Sequence, residues 1–189
     1  MNRAALLVAG LVGGCVYFNA MYDANREFDA GVKALQEQSE VSARVSFDSV
    51  IAKTGRILED HPTSKYADDA AILKARSELY TRKWESAAET SRTAAALSDD
   101  ERTAALAQGL GAVALRQLGR TAEADSLLSQ ALDVELDPDD RALFLFERGL
   151  ARQELGMAEL AAADLEEASD ALALSPEGRL TLSVALRDM

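Results

Sequence analysis

The sequence predicts an all-α protein in which antiparallel helix pairs stack as a helical-repeat solenoid. The composition is one reason: the 189 residues are 48% hydrophobic, but only 5% are aromatic and only three are proline. Such a composition favours helices over a β-sandwich. An internal repeat is the second reason, because three amphipathic segments follow one another at a spacing of 37 residues. These segments span residues 82–97, 119–134 and 156–171.

Each repeated segment has an alanine five residues after its start, and each follows another predicted helix. The alanines are Ala87, Ala124 and Ala161, and the neighbouring Ala88 allows a second register for the first segment. The preceding helices are predicted over residues 66–81, 101–118 and 141–155. We therefore expect about three to four helix pairs between residues 17 and 174.

Local signals predict where these helices begin and end. Gly119 and Gly156 suit the left-handed residue that ends a helix before a tight turn. Ser98 and Glu101 have the spacing of a capping box, in which each side chain bonds to the other residue's backbone amide. Asp137 followed by Pro138 is typical of a helix start. The stretch Ser175-Pro176-Glu177 repeats that pattern, so we predict a C-terminal capping helix over residues 175–189.

The N-terminus has the organisation of a secretory signal that ends at the only cysteine. Arg3 precedes an apolar run, and Val12-Gly13-Gly14 places small residues directly before Cys15. This segment resembles the lipobox of bacterial lipoproteins. The resemblance implies that residues 1–14 are a signal peptide, that residues 15–16 form the anchor, and that Cys15 carries a covalent lipid. The alternative is an uncleaved membrane helix, but the apolar stretch is short of the roughly 20 residues that a span needs.

The charge and the residue counts exclude several classes of function. A formal net charge of −12 disfavours nucleic acid and anionic lipid as partners. One cysteine cannot form an internal disulfide, and one histidine cannot build a histidine-rich metal site. His61 follows a predicted helix end, where it can favour the last carbonyls. Since no catalytic or phosphate-binding motif is present, we predict that the protein is not an enzyme and that it uses no cofactor besides the lipid on Cys15.

The predicted helix pairs resemble tetratricopeptide repeats. A small residue lies within each first helix, at Ala75, Ala112 and Gly149, and an alanine follows early in each second helix. The stretch LEDHPTSKYADDAAILKARSELYTRKWESAAE is similar to the segment that links repeats in outer-membrane assembly lipoproteins of the BamD type. The sequence departs from that family in its 37-residue period, which exceeds the usual period of about 34. Its third repeat also lacks the aromatic and proline marks.

The resemblance implies a function as well as a fold. First helices of such repeats line a concave surface that binds other proteins. We expect this protein to be a lipid-anchored, non-enzymatic scaffold on the periplasmic face of the outer membrane, with a role in outer-membrane protein assembly. Its partners would be envelope proteins that bind as a peptide or a helix. The expected partner-binding groove is lined by Ile72, Arg76, Leu79, Tyr80, Val113, Arg116, Gln117, Phe146 and Leu150.

Three further interpretations remain open in the sequence. The C-terminal helix either fills the groove or caps the stack. If the N-terminus is not cleaved, the protein is an inner-membrane-anchored adaptor subunit of a larger envelope complex. Trp84, with Phe47 one repeat earlier, is interpreted as a side chain that packs between the two helices of a repeat.

Overall fold

The computed structural model describes residues 3–172, and it describes side-chain surroundings for residues 19–170. Over this range the chain is entirely helical, without a β-strand, which confirms the all-α prediction. The predicted capping helix at 175–189 lies outside the described residues, as do the surroundings of Cys15. The eight helices are α1 (Arg3–Gln36), α2 (Glu40–Asp60), α3 (Ala67–Tyr80), α4 (Trp84–Leu97), α5 (Glu101–Gln117), α6 (Thr121–Leu132), α7 (Pro138–Glu154) and α8 (Ala158–Leu172).

The chain divides into two compact units. The first unit, Met1–Thr81, contains α1, α2 and α3, and the second unit, Arg82–Met189, contains α4 to α8. Within each unit, consecutive helices pack against each other, and α7 also contacts α5 in the second unit. Two of the predicted helix pairs, α5 with α6 and α7 with α8, therefore lie together in the second unit.

Three aromatic rings form part of the core of the first unit, and each belongs to a different helix. The Phe47 side chain of α2 is 1% exposed, and its ring stacks on Tyr80 of α3 with a centroid distance of 4.6 Å. Phe28 of α1 meets the edge of both rings. Gly31 of α1 faces the same ring, because a Cβ at this position would lie 2.7 Å from Phe47 Cε1. The absence of a side chain at Gly31 thus allows α1 to approach α2.

The second unit contains the same type of contact. Phe144 of α7 is fully buried, and its ring occupies the space that a Cβ at Gly109 of α5 would need. One pair further along, a Cβ at Gly149 of α7 would lie 2.7 Å from Leu165 Cγ of α8. Large side chains therefore fit against glycine backbone at two helix contacts of this unit.

The 37-residue repeat of the sequence is also present in the backbone φ angles. Arg82, Gly119 and Gly156 have φ angles of 58°, 76° and 77°, and they are spaced 37 residues apart. After both glycines, the next residue donates its amide to the carbonyl five positions back, from Arg120 to Leu115 and from Met157 to Arg152. This register selects Ala87 over Ala88 as the equivalent of Ala124 and Ala161, and all three selected alanines are buried.

The helix ends confirm some of the local signals and correct one. Asp137 is the N-cap of α7 with Pro138 as its first residue, and His61 is the C-cap of α2. The predicted capping box of Ser98 with Glu101 is wrong. The cap is Asp100, whose carboxylate accepts from Thr103 N at 2.8 Å, while Ser98 Oγ accepts from Asp100 N in the preceding turn. Asp100 is extended and directly precedes the helix, so its carboxylate reaches the free amide first.

We expect Gly109→Ala to destabilise the protein by about 1–3 kcal/mol or more, because the new methyl group must displace the Phe144 ring in a packed core. Gly55→Ala in α2 is the matched control. A Cβ at Gly55 meets nothing within 4 Å, so alanine should stabilise the helix by about 0.5–1 kcal/mol. Urea denaturation of both variants measures the difference. Equal effects would contradict the close approach of α5 and α7.

Candidate functional site

The residues expected to line the groove are divided between the two units. Four of them lie on α3 in the first unit, and five lie on α5 and α7 in the second unit. On α3, Ile72, Arg76 and Leu79 are half-buried, and they lie three or four residues apart along one side of the helix. Tyr80 belongs to the aromatic core through its stacking on Phe47. Of the four residues on α3, the three that reach the surface of the first unit outside the aromatic core are therefore Ile72, Arg76 and Leu79.

The corresponding residues of the second unit are mostly buried. Val113 is 7% exposed, and Phe146 and Leu150 are each 8% exposed. Gln117 is half-buried. The expected groove residues on α5 and α7 thus contribute largely to packing within the unit.

Arg116 pairs with two carboxylates of α7. Its Nε donates to Glu147 at 2.6 Å and its second guanidinium nitrogen donates to Glu154 at 3.0 Å. The Thr121 hydroxyl donates to the other oxygen of Glu154 at 2.8 Å. The Arg116 side chain is only 11% exposed. This arrangement gives Arg116 an intramolecular role that connects the first helices of two successive pairs.

Burial and charge act in opposite directions on the pKa values of this group. Burial raises the pKa of Glu147 above its usual value, and this effect outweighs the attraction of Arg116. Burial alone would lower the pKa of Arg116, but Glu147 and Glu154 favour the charged form and raise it. The ion pair is therefore held together in a poorly solvated position.

A second group of ion pairs connects α6, α7 and α8. Arg148 contacts both oxygens of Asp164, at 2.9 Å and 2.7 Å. Arg152 donates to the same carboxylate at 2.8 Å and to Asp125 of α6 at 3.0 Å. The Asp164 side chain is 6% exposed. This group was not predicted from the sequence. Two arginines four residues apart on α7 were the only local signal, and their partners lie 12 to 27 residues away in the sequence.

Two features of the described residues concern metal binding and the single histidine. Between residues 19 and 170, no three His, Cys, Asp or Glu side chains are placed to hold a metal ion. His61 lies in a small open cleft between α1 and α2. The other residues that line this cleft are Ala20, Ile57, Lys53, Arg56 and the acids Asp23 and Asp60.

No protein-family model matches the chain, and no curated protein matches it. Among the described helices, none combines the length and the apolar character that crossing a membrane requires.

We expect Asp164→Asn to destabilise the protein by about 3–5 kcal/mol, because it leaves Arg148 and Arg152 buried without their shared carboxylate. Glu167→Gln is the matched control, since Glu167 pairs with Arg141 at the surface of the same helix. The control should cost about 0–1 kcal/mol. Urea denaturation at constant ionic strength gives both values. A loss at Asp164 no larger than at Glu167 would contradict a structural role of the buried group.

The raised pKa of Glu147 predicts a specific pH dependence. The folded protein binds the Glu147 proton more tightly than the unfolded chain, whose value is close to 4.5. The contribution of this group is therefore fully present below pH 4.5 and is lost as the pH rises through the folded pKa. The free energy of unfolding of the wild type, relative to that of Glu147→Gln, should fall as the pH rises from 4.5 through the folded pKa of Glu147. Denaturation at a series of pH values measures it, and an opposite slope would contradict the assignment.

Proposed function

We propose that this protein is a lipid-anchored, non-enzymatic scaffold that binds other proteins of the bacterial cell envelope. The observation that carries the proposal is the 37-residue spacing of the left-handed turns at Arg82, Gly119 and Gly156. A left-handed residue at a constant spacing, together with the packing of consecutive helices within each unit, supports a solenoid of tetratricopeptide type. In such a stack each pair contacts only its neighbours and leaves a long surface for partners.

The N-terminal sequence supports the lipid anchor. Cys15 follows Val12-Gly13-Gly14 and an apolar run, which is the order of a lipoprotein signal. Removing residues 1–14 would remove Arg3 and no acid, so the mature chain would be more negative than the net charge of −12 for the full sequence. Such a chain gains nothing from an anionic membrane surface. More than one acyl chain on the N-terminal cysteine would supply the attachment that its charge does not.

We place the protein on the periplasmic face of the outer membrane, in the process of outer-membrane protein assembly. Val16 supports this location, because an aspartate after the acylated cysteine is the retention signal of the inner membrane in some bacteria. The partners would be envelope proteins that dock a peptide or a helix on the repeat surface. An inner-membrane adaptor is the alternative, and it requires that residues 1–14 remain attached.

We expect the intact mass of the membrane-extracted protein to correspond to a chain that begins at Cys15 and carries acyl groups. An inhibitor of lipoprotein signal peptidase should restore residues 1–14. Cys15→Ser is the matched control, because it keeps the size of the side chain but removes the thiol that accepts the lipid. This variant should retain its helical circular dichroism and lose membrane attachment.

The intact mass also distinguishes the outer-membrane scaffold from the inner-membrane adaptor. An unacylated chain that begins at Met1 and remains in the membrane would contradict the outer-membrane scaffold and favour the inner-membrane adaptor. Density-gradient separation of the two membranes would then locate the protein directly.

A further inference from the structure

An exposed apolar patch lies at the turn between α7 and α8. Leu155, Met157 and Leu160 are 37%, 42% and 51% exposed, and we call these three residues the turn patch. The backbone beneath them is fixed, because Met157 N donates to Arg152 O and Met157 O accepts from Ala161 N. The patch therefore belongs to an ordered helix–turn–helix connection.

The repeat shows that the fold does not require apolar side chains at these positions. One repeat earlier, the equivalents of Met157 and Leu160 are Arg120 and Glu123, which form an exposed ion pair. Two repeats earlier, they are Lys83 and Ser86, which are also exposed. The turns at Gly119 and Gly156 have the same backbone conformation. Exposed polar side chains occupy these positions in both earlier turns, so the turn itself does not require Met157 and Leu160 to be apolar.

The helix that follows the turn patch is strongly acidic. Helix α8 contains five acids and no basic residue. Asp164 and Glu167 pair with arginines of α7, whereas the other three acids make no ion pair within the described residues. These are Glu159, Glu166 and Asp170, which are exposed and fall on one face of the helix at intervals of seven and four residues. By contrast, both acids of α6 are paired, Glu123 with Arg120 and Asp125 with Arg152.

We propose that the turn patch and the acidic face of α8 form the docking surface for an amphipathic helix of a partner protein, with apolar anchors at one end and a row of lysines or arginines. This inference rests on the proposed scaffold function and names the chemistry of its partner. The anchors would bury the apolar patch, which supplies the affinity. The acids would select a basic helix and fix its direction, since exposed ion pairs add orientation more than affinity.

The test uses the full-length protein in nanodiscs of zwitterionic lipid. The probe is a synthetic helical peptide with leucines at i, i+4 and i+7 beside a row of lysines, compared with a scrambled peptide of the same composition. The wild type should bind the helical peptide at least tenfold more tightly than the scrambled one. Met157→Arg combined with Leu160→Glu introduces the residues of the preceding repeat without altering the net charge. This variant should lose at least tenfold in affinity while its thermal midpoint stays unchanged.

A matched control variant separates the turn patch from general surface hydrophobicity. Val41 and Val45 on α2 are 79% and 66% exposed, and Val41→Arg combined with Val45→Glu is also neutral in charge. This control should bind the peptide as the wild type does. Glu159→Gln combined with Glu166→Gln should slow association and flatten its dependence on salt.

Several results would overturn the proposal. One is equal binding of the two peptides, and another is equal loss of affinity in the α2 control. A wild-type dimer that the Met157/Leu160 variant dissociates would assign the patch to self-association. If that variant unfolds, and the milder Leu160→Ser unfolds as well, the patch belongs to internal packing.

The outcomes for this docking surface and for the proposed scaffold function can be told apart. A missing lipid on Cys15 would refute only the membrane location. Peptide binding through another surface would refute only the docking surface and would leave the scaffold function in place.

Discussion

The fit of a phenylalanine ring against a glycine backbone sets the spacing of helices in both units. Phe47 meets Gly31 in the first unit, and Phe144 meets Gly109 in the second. An alanine-rich helix buries little apolar surface per residue, so contacts between alanines alone would stabilise these pairs weakly. A buried ring supplies a large contact area at one point. Because aromatic residues make up only 5% of the chain, each of these contacts carries a large share of the packing.

The contact between α7 and α8, at the end of the described chain, depends on buried ion pairs as well as on apolar packing. The contact includes Gly149 against Leu165, and its ion pairs join Arg148 and Arg152 to Asp164. Buried ion pairs cost desolvation energy, and apolar residues of the same volume often stabilise a core as well or better. Their advantage is geometric, because two oxygens and two guanidinium groups match in one arrangement. We infer that this group fixes the register of α7 against α6 and α8 more than it adds stability.

The sequence predicted those features that depend on neighbouring residues. The helical class, the turns at Gly119 and Gly156, and the Asp137–Pro138 start follow from local chemistry, and the structure agrees. The errors and omissions concern choices that the local pattern leaves open. Asp100 and Ser98 are both able to cap α5, and only the backbone direction selects Asp100. The ion pair of Arg116 with Glu147 was not predicted, because the two residues lie 31 positions apart in the sequence.

A repeated structure offers an internal standard for identifying functional surface. In a stack where each pair contacts only its neighbours, equivalent positions meet equivalent structural demands. Residues that differ between equivalent exposed positions are therefore free of those demands and can be used for binding. Arg120 with Glu123 keeps one turn polar and self-paired, whereas Met157 with Leu160 leaves the next turn apolar. Exposed apolar surface favours association with any apolar partner, and the three acids of α8 that make no ion pair within residues 19–170 would limit that association to partners of opposite charge. Affinity and selectivity at this turn would thus come from different side chains of the same helix.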